Sequence, residues 1–207
     1  MSLDILFEDA HLLVVNKPAG LLSVPGRTAH NKDSVQSRAE ALYPQALTVH
    51  RLDCATSGVM VLAKTKAAHR ELSRQFQDRE THKQYHALTY GPCEQEEGEM
   101  NFPLITDWPN RPKQKICYEQ GKPSLTRFRL LKREGNINHL LLIPVTGRSH
   151  QLRLHTMAMG MPIIGDTFYA NQAIATMKNR LMLHAHRLDI RHPASAQALQ
   201  FQAELPF

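Results

Sequence analysis

Apolar and polar positions alternate in short blocks along the first twenty residues. Residues 5–7 (ILF) and 12–15 (LLVV) form two apolar runs separated by the polar segment EDAH. Two short apolar runs joined in this way predict a β-hairpin. The segment NKPAG at residues 16–20 contains proline and glycine, which end the second predicted strand.

The following segment is mostly polar and predicts a loop and then a short helix. Residues 20–33 (GLLSVPGRTAHNKD) contain glycine, proline and basic side chains, and we expect a loop with a basic tip. Residues 34–43 predict a helix that is capped by Asp33 or Ser34, with Pro44 beyond its end.

The centre of the chain changes from a continuous apolar run to a helical spacing. Residues 58–65 (GVMVLAKT) predict a buried strand. Residues 66–80 predict an amphipathic helix, because apolar side chains recur every four positions at Ala68, Leu72 and Phe76. Residues 83–91 (KQYHALTYG) alternate in part and predict a second strand. We therefore expect a strand–helix–strand unit.

The last part of the chain predicts mainly strands. Residues 92–123 show no period and are expected to be irregular, whereas LTRFRLLKR and HLLLIPVT predict a hairpin across EGNIN. SHQLRLHTMAMG predicts a helix of about three turns, and RLMLHAHRLDIRH and QALQFQAEL predict two closing strands. Many strands, few helices and mostly hairpin connections favour an α+β fold with a largely antiparallel mixed β-sheet flanked by helices and loops.

Composition narrows the class of protein. The 207 residues suit one large domain or two small ones. No apolar stretch approaches the ~18 residues that a membrane span needs, and the N-terminus lacks the pattern of a signal peptide, so we expect a cytoplasmic protein without a membrane partner. The three cysteines are widely spaced, which disfavours a disulfide framework or a structural zinc site.

The charge balance favours a polyanionic partner. The formal net charge is +6, and the isoelectric point is about 9.4. Each basic side chain alone is more typical of a solvated charge than of a phosphate ligand. Together the basic loops form a candidate surface for RNA, with contributions from Lys17, Arg27, Lys32, Arg111, Lys113 and Lys115. Trp108 lies in one of these loops, and we expect it to anchor the loop rather than to stack on RNA.

Several common sites are not supported by the sequence. The chain has no GxGxxG, GxxxxGK[ST] or GxSxG motif, which disfavours dinucleotide, P-loop and serine-hydrolase sites. His150 and His155 lie five residues apart, and His184 and His186 have no nearby carboxylate, so we expect no metal site. The acidic cluster is expected to be a solvated loop, which disfavours a metal-dependent nuclease; it comprises Glu94, Glu96, Glu97 and Glu99.

Asp53 is the strongest candidate for chemistry in the segment HRLDCATSG. An isolated aspartate before a Thr-Ser-Gly turn is most often a turn residue or a cap. Asp53, however, directly precedes a buried strand, a counter-ion is available in GRSHQLR, and Tyr85 lies on the returning strand. A carboxylate that faces an arginine stays ionised and can act as a nucleophile. A tyrosine beside it could stack on an extruded nucleobase.

Five segments in order resemble the motifs of the RluA family of pseudouridine synthases. HRLDCATSG resembles the family's catalytic motif HRLDxxTSG, and VVNKPAGLLSVPG resembles its NKPxG segment. KQYHAL, TGRSHQLRLH and LMLHAHRL resemble its tyrosine, GR[ST]HQ[IL]R and LHA motifs, and MPIIGD also matches the family. The likeness covers nearly the whole chain. It implies a single pseudouridine synthase catalytic domain over residues 1–207, without an N-terminal S4-like domain.

The resemblance implies a set of catalytic residues. Asp53 would be the nucleophile that detaches uracil from its ribose, by attack on the sugar, attack on the base or assistance to a glycal route. Tyr85 would stack on the base and assist the proton step. Arg153 would pair with Asp53, with Arg148 as the competing candidate or a phosphate ligand. Leu183 would form an apolar wall behind the base. The isomerisation implies no cofactor and no metal.

The resemblance also implies how the RNA is held. Arg51 would fill the gap that the flipped nucleotide leaves in the RNA stack. His50 would assist or pack, and packing is favoured; Cys54 would pack rather than act as a thiol. The proposed RNA-binding residues are Arg51, His50, Lys17, Arg148, Arg111 and Lys113.

LLSVPGR and DWPNRPKQKICYEQGKP resemble the dual-specificity 23S rRNA and tRNA enzymes of the family more than its other branches. This implies an isomerase that acts on RNA stem-loops, at uridine 32 of tRNA anticodon loops and uridine 746 of 23S rRNA. We expect a monomer without an obligate protein partner. The alternative is a non-catalytic RNA-binding or RNA-folding module on the same scaffold.

Overall fold

The computed structural model describes residues 2–207 and divides the chain into two compact units. The first unit comprises residues 2–83 and 184–206, and the second comprises residues 84–183 and 207. No helix within residues 2–207 is long and apolar enough to cross a bilayer. The fold class agrees with the predicted α+β class, because strands predominate and helices are few.

The first unit is a sheet with two helices. Its strands are β1 (Asp4–Glu8), β2 (Leu12–Lys17), β3 (Leu47–Thr48), β4 (Ser57–Ala63), β11 (Leu183–Arg191, from residue 184 onward) and β12 (Ala198–Gln202). Its helices are α1 (Val35–Leu42) and α2 (Lys66–Gln77). The predicted hairpin is confirmed, since β1 pairs antiparallel with β2. Ser34, one of the two predicted caps, begins α1 with a capping box to Ser37.

Strand β4 is the centre of the first unit, and every one of its residues is buried. It pairs antiparallel with β2 and parallel with β11, so the sheet is mixed. The predicted face of α2 is confirmed: Ala68 and Leu72 are buried against the sheet, and Phe76 packs beside them. Thr65 begins this helix by accepting the N–H of Ala68. The core therefore positions the end of the segment that precedes β4, where Asp53 lies.

The second unit contains a four-strand path and a separate strand pair. Its strands are β5 (His82–Tyr90, from residue 84 onward), β6 (Glu97–Asn101), β7 (Leu104–Thr106), β8 (Gln114–Ile116), β9 (Leu125–Glu134) and β10 (Ile137–Pro144). Its helices are α3 (Gln151–Ala158) and α4 (Gln172–Ala175). The neighbours along the path are β5, β10, β9 and β6, while β7 pairs with β8. The predicted hairpin is β9 and β10.

Two predictions for this unit are wrong. The segment expected to be irregular contains β6, β7 and β8; in β6 only Met100 is buried, so the segment shows no alternation, and pairing with β9 makes it a strand. Glu97 and Glu99 are therefore exposed strand residues, and Glu99 accepts from Nε of Arg127 at 2.9 Å. Helix α3 is about a turn shorter than predicted: it begins after His150, whose φ is +55°, and it already ends at Ala158.

Gly58 allows β4 and β11 to approach each other. Its φ is +117°, a value that side chains disfavour, and a Cβ there would lie 2.2 Å from the carbonyl oxygen of Ala185. Both the backbone conformation and the space therefore require glycine at this position.

We expect Gly58→Ala to lower the free energy of unfolding by at least about 2 kcal/mol, because strain and a backbone clash add. The measurement is urea unfolding. Gly135→Ala is the matched control, since Gly135 also has a positive φ of +58° but open space around a Cβ; it should lose about 1 kcal/mol. Equal losses at the two positions would contradict the close approach.

Candidate active site

Residues 51–56, here called the Asp53 loop, lie in the connection between β3 and β4, and hydrogen bonds to their backbone fix them on both sides of Asp53. Before Asp53, the Ser23 hydroxyl donates to the Leu52 carbonyl at 2.6 Å and accepts its N–H at 3.0 Å. After Asp53, the Cys54 carbonyl accepts the N–H of Gly20 at 2.8 Å. Leu52 is buried, whereas Asp53 is partly exposed. The loop therefore presents a carboxylate on a rigid support.

The side chain of Lys17 is fully buried beneath this loop. Its Nζ donates to the carbonyls of Leu21 at 2.6 Å, Pro18 at 3.0 Å and Cys54 at 3.0 Å. The prediction that Lys17 belongs to an exposed RNA-binding surface is therefore wrong, because a buried ammonium cannot reach a phosphate in this conformation. Its position at the end of β2 gives it a structural role, which is to hold the Asp53 loop against the segment that follows β2.

His50 packs inside the first unit. Its Nε2 accepts the N–H of Val61 at 3.0 Å, and its ring stacks on Phe76 with centroids 4.5 Å apart. Burial, and secondarily the charge of Lys83, lowers the pKa of His50 to about 3. The ring is therefore neutral at physiological pH, which agrees with the favoured packing alternative.

Arg51 and Cys54 flank the loop with different environments. Arg51 is exposed, and across residues 2–207 it makes no hydrogen bond or ion pair, so its guanidinium is accessible to a ligand. Cys54 is exposed, and its thiol donates to the Gly20 carbonyl oxygen at 3.1 Å, so the expected packing role stays a prediction.

Arg153 lies in helix α3 of the second unit, where it forms a buried ion pair with Asp166. Nε and Nη2 donate to the two carboxylate oxygens at 2.8 and 2.6 Å, and the side chains are 4% and 0% exposed. The rings of Phe168 and Tyr169 lie 4.8 and 5.2 Å from Cζ. We call these four residues the guanidinium cluster. Asp166 occupies two of the five donors that a guanidinium carries.

Gln151 fixes the loop that precedes Arg153. Its Oε1 accepts from the Thr146 hydroxyl at 2.7 Å and from the Arg148 N–H at 3.0 Å. Its Nε2 donates to the Leu125 carbonyl at 3.0 Å. Arg148 itself is exposed, unlike the buried Arg153. The two competing arginines therefore differ in burial: Arg153 belongs to a buried cluster, whereas Arg148 is accessible to a ligand.

The other predicted residues of the second unit lie on strands and loops. Tyr85 lies on β5 opposite Leu142 of β10 and is partly exposed, and Leu183 is 2% exposed. Arg111 is exposed and Lys113 partly exposed between β7 and β8. Trp108, in the same loop, is 65% exposed, so the expectation that it anchors the loop is wrong.

The chain matches known proteins along most of its length. Residues 11–158 match the family model described as RNA pseudouridylate synthase. The chain belongs to the RNA pseudouridylate synthase family. It is 54% identical over 204 residues to the dual-specificity RNA pseudouridine synthase RluA of Escherichia coli K12, with 98% of this chain and 93% of the relative covered. The RluA protein of Yersinia pestis is 53% identical, with 98% and 99% covered.

Solved structures agree with this family. Human RNA pseudouridylate synthase domain containing 1 is 28% identical and has a TM-score of 0.83, with 100% of this chain and 84% of that chain covered. Human RNA pseudouridylate synthase domain containing 4 is 25% identical with a TM-score of 0.78, and 98% and 88% are covered. Membership of the RNA pseudouridylate synthase family makes the chain an isomerase, as the sequence motifs predict.

Sequence reasoning about this RNA pseudouridylate synthase missed the residues that support the site. Asp166 lies in MPIIGD and Gln151 in TGRSHQLRLH, so both were inside recognised motifs but received no role. Buried side-chain networks leave no periodic signal, and a motif does not show which carboxylate meets which arginine. The predicted pairing of Asp53 with Arg153 stays a prediction.

We expect Lys17→Met to lower the free energy of unfolding by about 2–3 kcal/mol, because three carbonyls lose a charged donor while the apolar volume is kept. Urea unfolding measures this. The matched control is Lys32→Met, whose exposed Nζ donates to the Gly26 carbonyl; its change should stay within about 0.5 kcal/mol. A wild-type stability for Lys17→Met would refute the structural role assigned to Lys17.

Arg153–Asp166 and Arg187–Asp189 are both bidentate Arg–Asp pairs, and they differ in burial. Asp166→Asn should destabilise the protein by about 3 kcal/mol, because it weakens the compensation of a buried guanidinium. Asp189→Asn should cost under about 1 kcal/mol, because the Arg187–Asp189 pair is 31% and 24% exposed. Thermal and urea unfolding compare the two. Equal losses would show that burial does not set the strength of these pairs.

Proposed function

We propose that this chain isomerises uridine to pseudouridine in RNA stem-loops, with Asp53 as the nucleophile. The observation that carries the proposal is a carboxylate on a loop that is rigid on both sides, in a chain whose family performs this reaction. A fixed carboxylate loses little conformational freedom when it meets the reacting carbon, which favours nucleophilic catalysis.

The reaction exchanges one bond of uracil for another. The bond from C1′ of the ribose to N1 of the base breaks, the base turns, and a bond from C1′ to C5 forms. The hydrogen on C5 is then lost to water, and N1 gains a proton, so no oxidant or reductant takes part. Asp53 assists the first step, and Tyr85 stacks on the base and assists the proton step at C5 or C2′.

Arg153 and Leu183 complete the proposed catalytic set. The guanidinium of Arg153 keeps a fixed orientation through Asp166 and two rings, which suits it to hold a carboxylate ionised. Leu183 supplies the apolar wall behind the base. We propose that Arg153 pairs with Asp53 and keeps its carboxylate ionised for the reaction.

Arg51 is proposed to stabilise the extruded state of the RNA. It is an exposed planar cation two residues before Asp53, and such a side chain can stack on bases and donate hydrogen bonds at once. Filling the gap left by the uridine would offset part of the few kcal/mol that unstacking costs. Arg148, Arg111 and Lys113 are proposed to contact phosphates.

The proposed substrates are uridine 32 of tRNA anticodon loops and uridine 746 of 23S rRNA. The relatives at 53–54% identity carry the description of dual-specificity enzymes, which supports two RNA classes. We further propose a cytoplasmic monomer that needs no cofactor, metal or obligate protein partner.

We expect Asp53→Asn to abolish tritium release from RNA with 5-tritiated uridine, while RNA binding stays within about two-fold of wild type, because the substitution removes the nucleophile but keeps the loop. Asp33→Asn, at an exposed carboxylate paired with Arg38, is the control and should retain turnover.

The substrates in this test are an anticodon stem-loop and a 23S rRNA hairpin, each beside a copy with cytidine at the target position. Pseudouridine mapping then locates the product. Turnover by Asp53→Asn would refute the nucleophile, and RNA binding without any product in the wild type would establish the non-catalytic binding module instead.

A further inference from the structure

The strand pair β7 and β8 with its two turns, residues 104–122 and here called the arm, carries an unusual combination of side chains. Trp108, the single tryptophan of the chain, is 65% exposed. The arm has four basic side chains and two acidic ones; the basic ones are Arg111, Lys113, Lys115 and Lys122. An exposed aromatic ring among basic side chains is the combination with which proteins bind single-stranded nucleic acid.

Trp108 already stacks on a cation within the arm. The guanidinium carbon of Arg111 lies 4.3 Å from the centroid of the Trp108 ring. Because one face of the ring is covered and the residue is still 65% exposed, the opposite face is open to solvent. The arrangement is a flat aromatic surface backed by a positive charge.

The turn that carries this stack is rigid. Asp107 accepts the backbone N–H of Asn110 at 3.0 Å, and its carboxylate accepts the Asn110 amide at 2.8 Å. The Asp107 N–H donates to the Lys113 carbonyl at 3.0 Å, which closes the turn. A pre-ordered aromatic surface loses little entropy when a ligand stacks on it.

The arm is tied to the guanidinium cluster of the same unit. The Gln114 N–H donates to the Tyr169 hydroxyl at 2.8 Å, and this hydroxyl also hydrogen-bonds to Nδ1 of His150 at 2.6 Å. Nζ of Lys113 lies 5.9 Å from the Phe168 ring. The arm is therefore held beside residues to which the proposed function assigns chemistry.

We propose that the open face of Trp108, backed by Arg111, stacks on an unpaired nucleobase of the RNA substrate. Every nucleobase offers a π-face, and the phosphates of the RNA backbone suit the surrounding lysines. Protein interfaces, by contrast, are depleted in lysine. The inference rests on the proposed function, since it assigns a binding contact to the same RNA. It concerns the hold on the RNA and not the chemical step.

The single tryptophan makes a direct test possible. Asp53→Asn protein, for which we expect RNA binding without turnover, is titrated with a 5′-labelled anticodon stem-loop RNA. Label anisotropy reports binding, and tryptophan fluorescence reports Trp108 alone. We expect fluorescence quenching that saturates at the same RNA concentration as the anisotropy, together with protection of the indole from acrylamide.

Substitutions on the active protein give an independent readout. Trp108→Ala should raise KM for the stem-loop about ten-fold with kcat unchanged, because the stack contributes to binding alone. Trp108→Phe should recover most of this loss. Tyr118→Ala is the matched control: Tyr118 is 76% exposed in the same arm, but it has no stacked cation within residues 2–207.

Unchanged fluorescence on RNA that anisotropy shows to be bound would overturn the stacking inference and leave the proposed function intact. A wild-type KM for Trp108→Ala would do the same and would direct attention to a protein ligand for the arm. Failure of the wild type to bind the RNA would overturn both proposals, whereas RNA binding with quenching but without tritium release would overturn the proposed reaction alone.

Discussion

The buried ammonium of Lys17 makes the interactions on which the Asp53 loop depends. It is a compact cation with three donors, and it binds three carbonyls from two segments that are separated by more than thirty residues in sequence. The dipoles of the three backbone carbonyls stabilise its charge, which offsets part of the loss of hydration on burial. Because one of these carbonyls belongs to Cys54, any displacement of the ammonium is transmitted to the residue beside Asp53.

The second unit also buries a cation, and different groups stabilise it. A buried arginine must be paired and hydrogen-bonded, and Asp166 does this at both its oxygens while also accepting the N–H groups of Phe168 and Tyr169. The carboxylate is thus held by its own backbone turn, and the rings lie next to the guanidinium plane. A guanidinium held in this way keeps its orientation, whereas the exposed Arg148 is adjustable and suits a less directional partner such as a phosphate.

The sequence predicted regular elements and motifs well, and side-chain networks poorly. The hairpin of β1 and β2 and the β9–β10 hairpin follow from apolar runs that are joined by short polar segments, and helix α2 follows from its four-residue apolar spacing. Strand β6 has a single buried residue and forms only by pairing with β9, a contact that a local pattern cannot contain. The burial of Lys17 is missed for the same reason. A lysine beside a segment with proline and glycine is expected to be exposed, and only the non-local contact with Cys54 buries it.

Exposure also separates two uses of positive charge in this chain. The net charge of +6 favours RNA at long range, and this attraction weakens with salt. Lys17 and Arg153 contribute to that total but are buried, so they act through directional hydrogen bonds that salt screens little. The accessible contribution comes from side chains such as Arg51, Arg111 and Arg148, which are planar cations able to stack as well as to donate. A surface with stacking cations can therefore hold an unpaired loop, whose bases are exposed, more firmly than a regular duplex of equal charge.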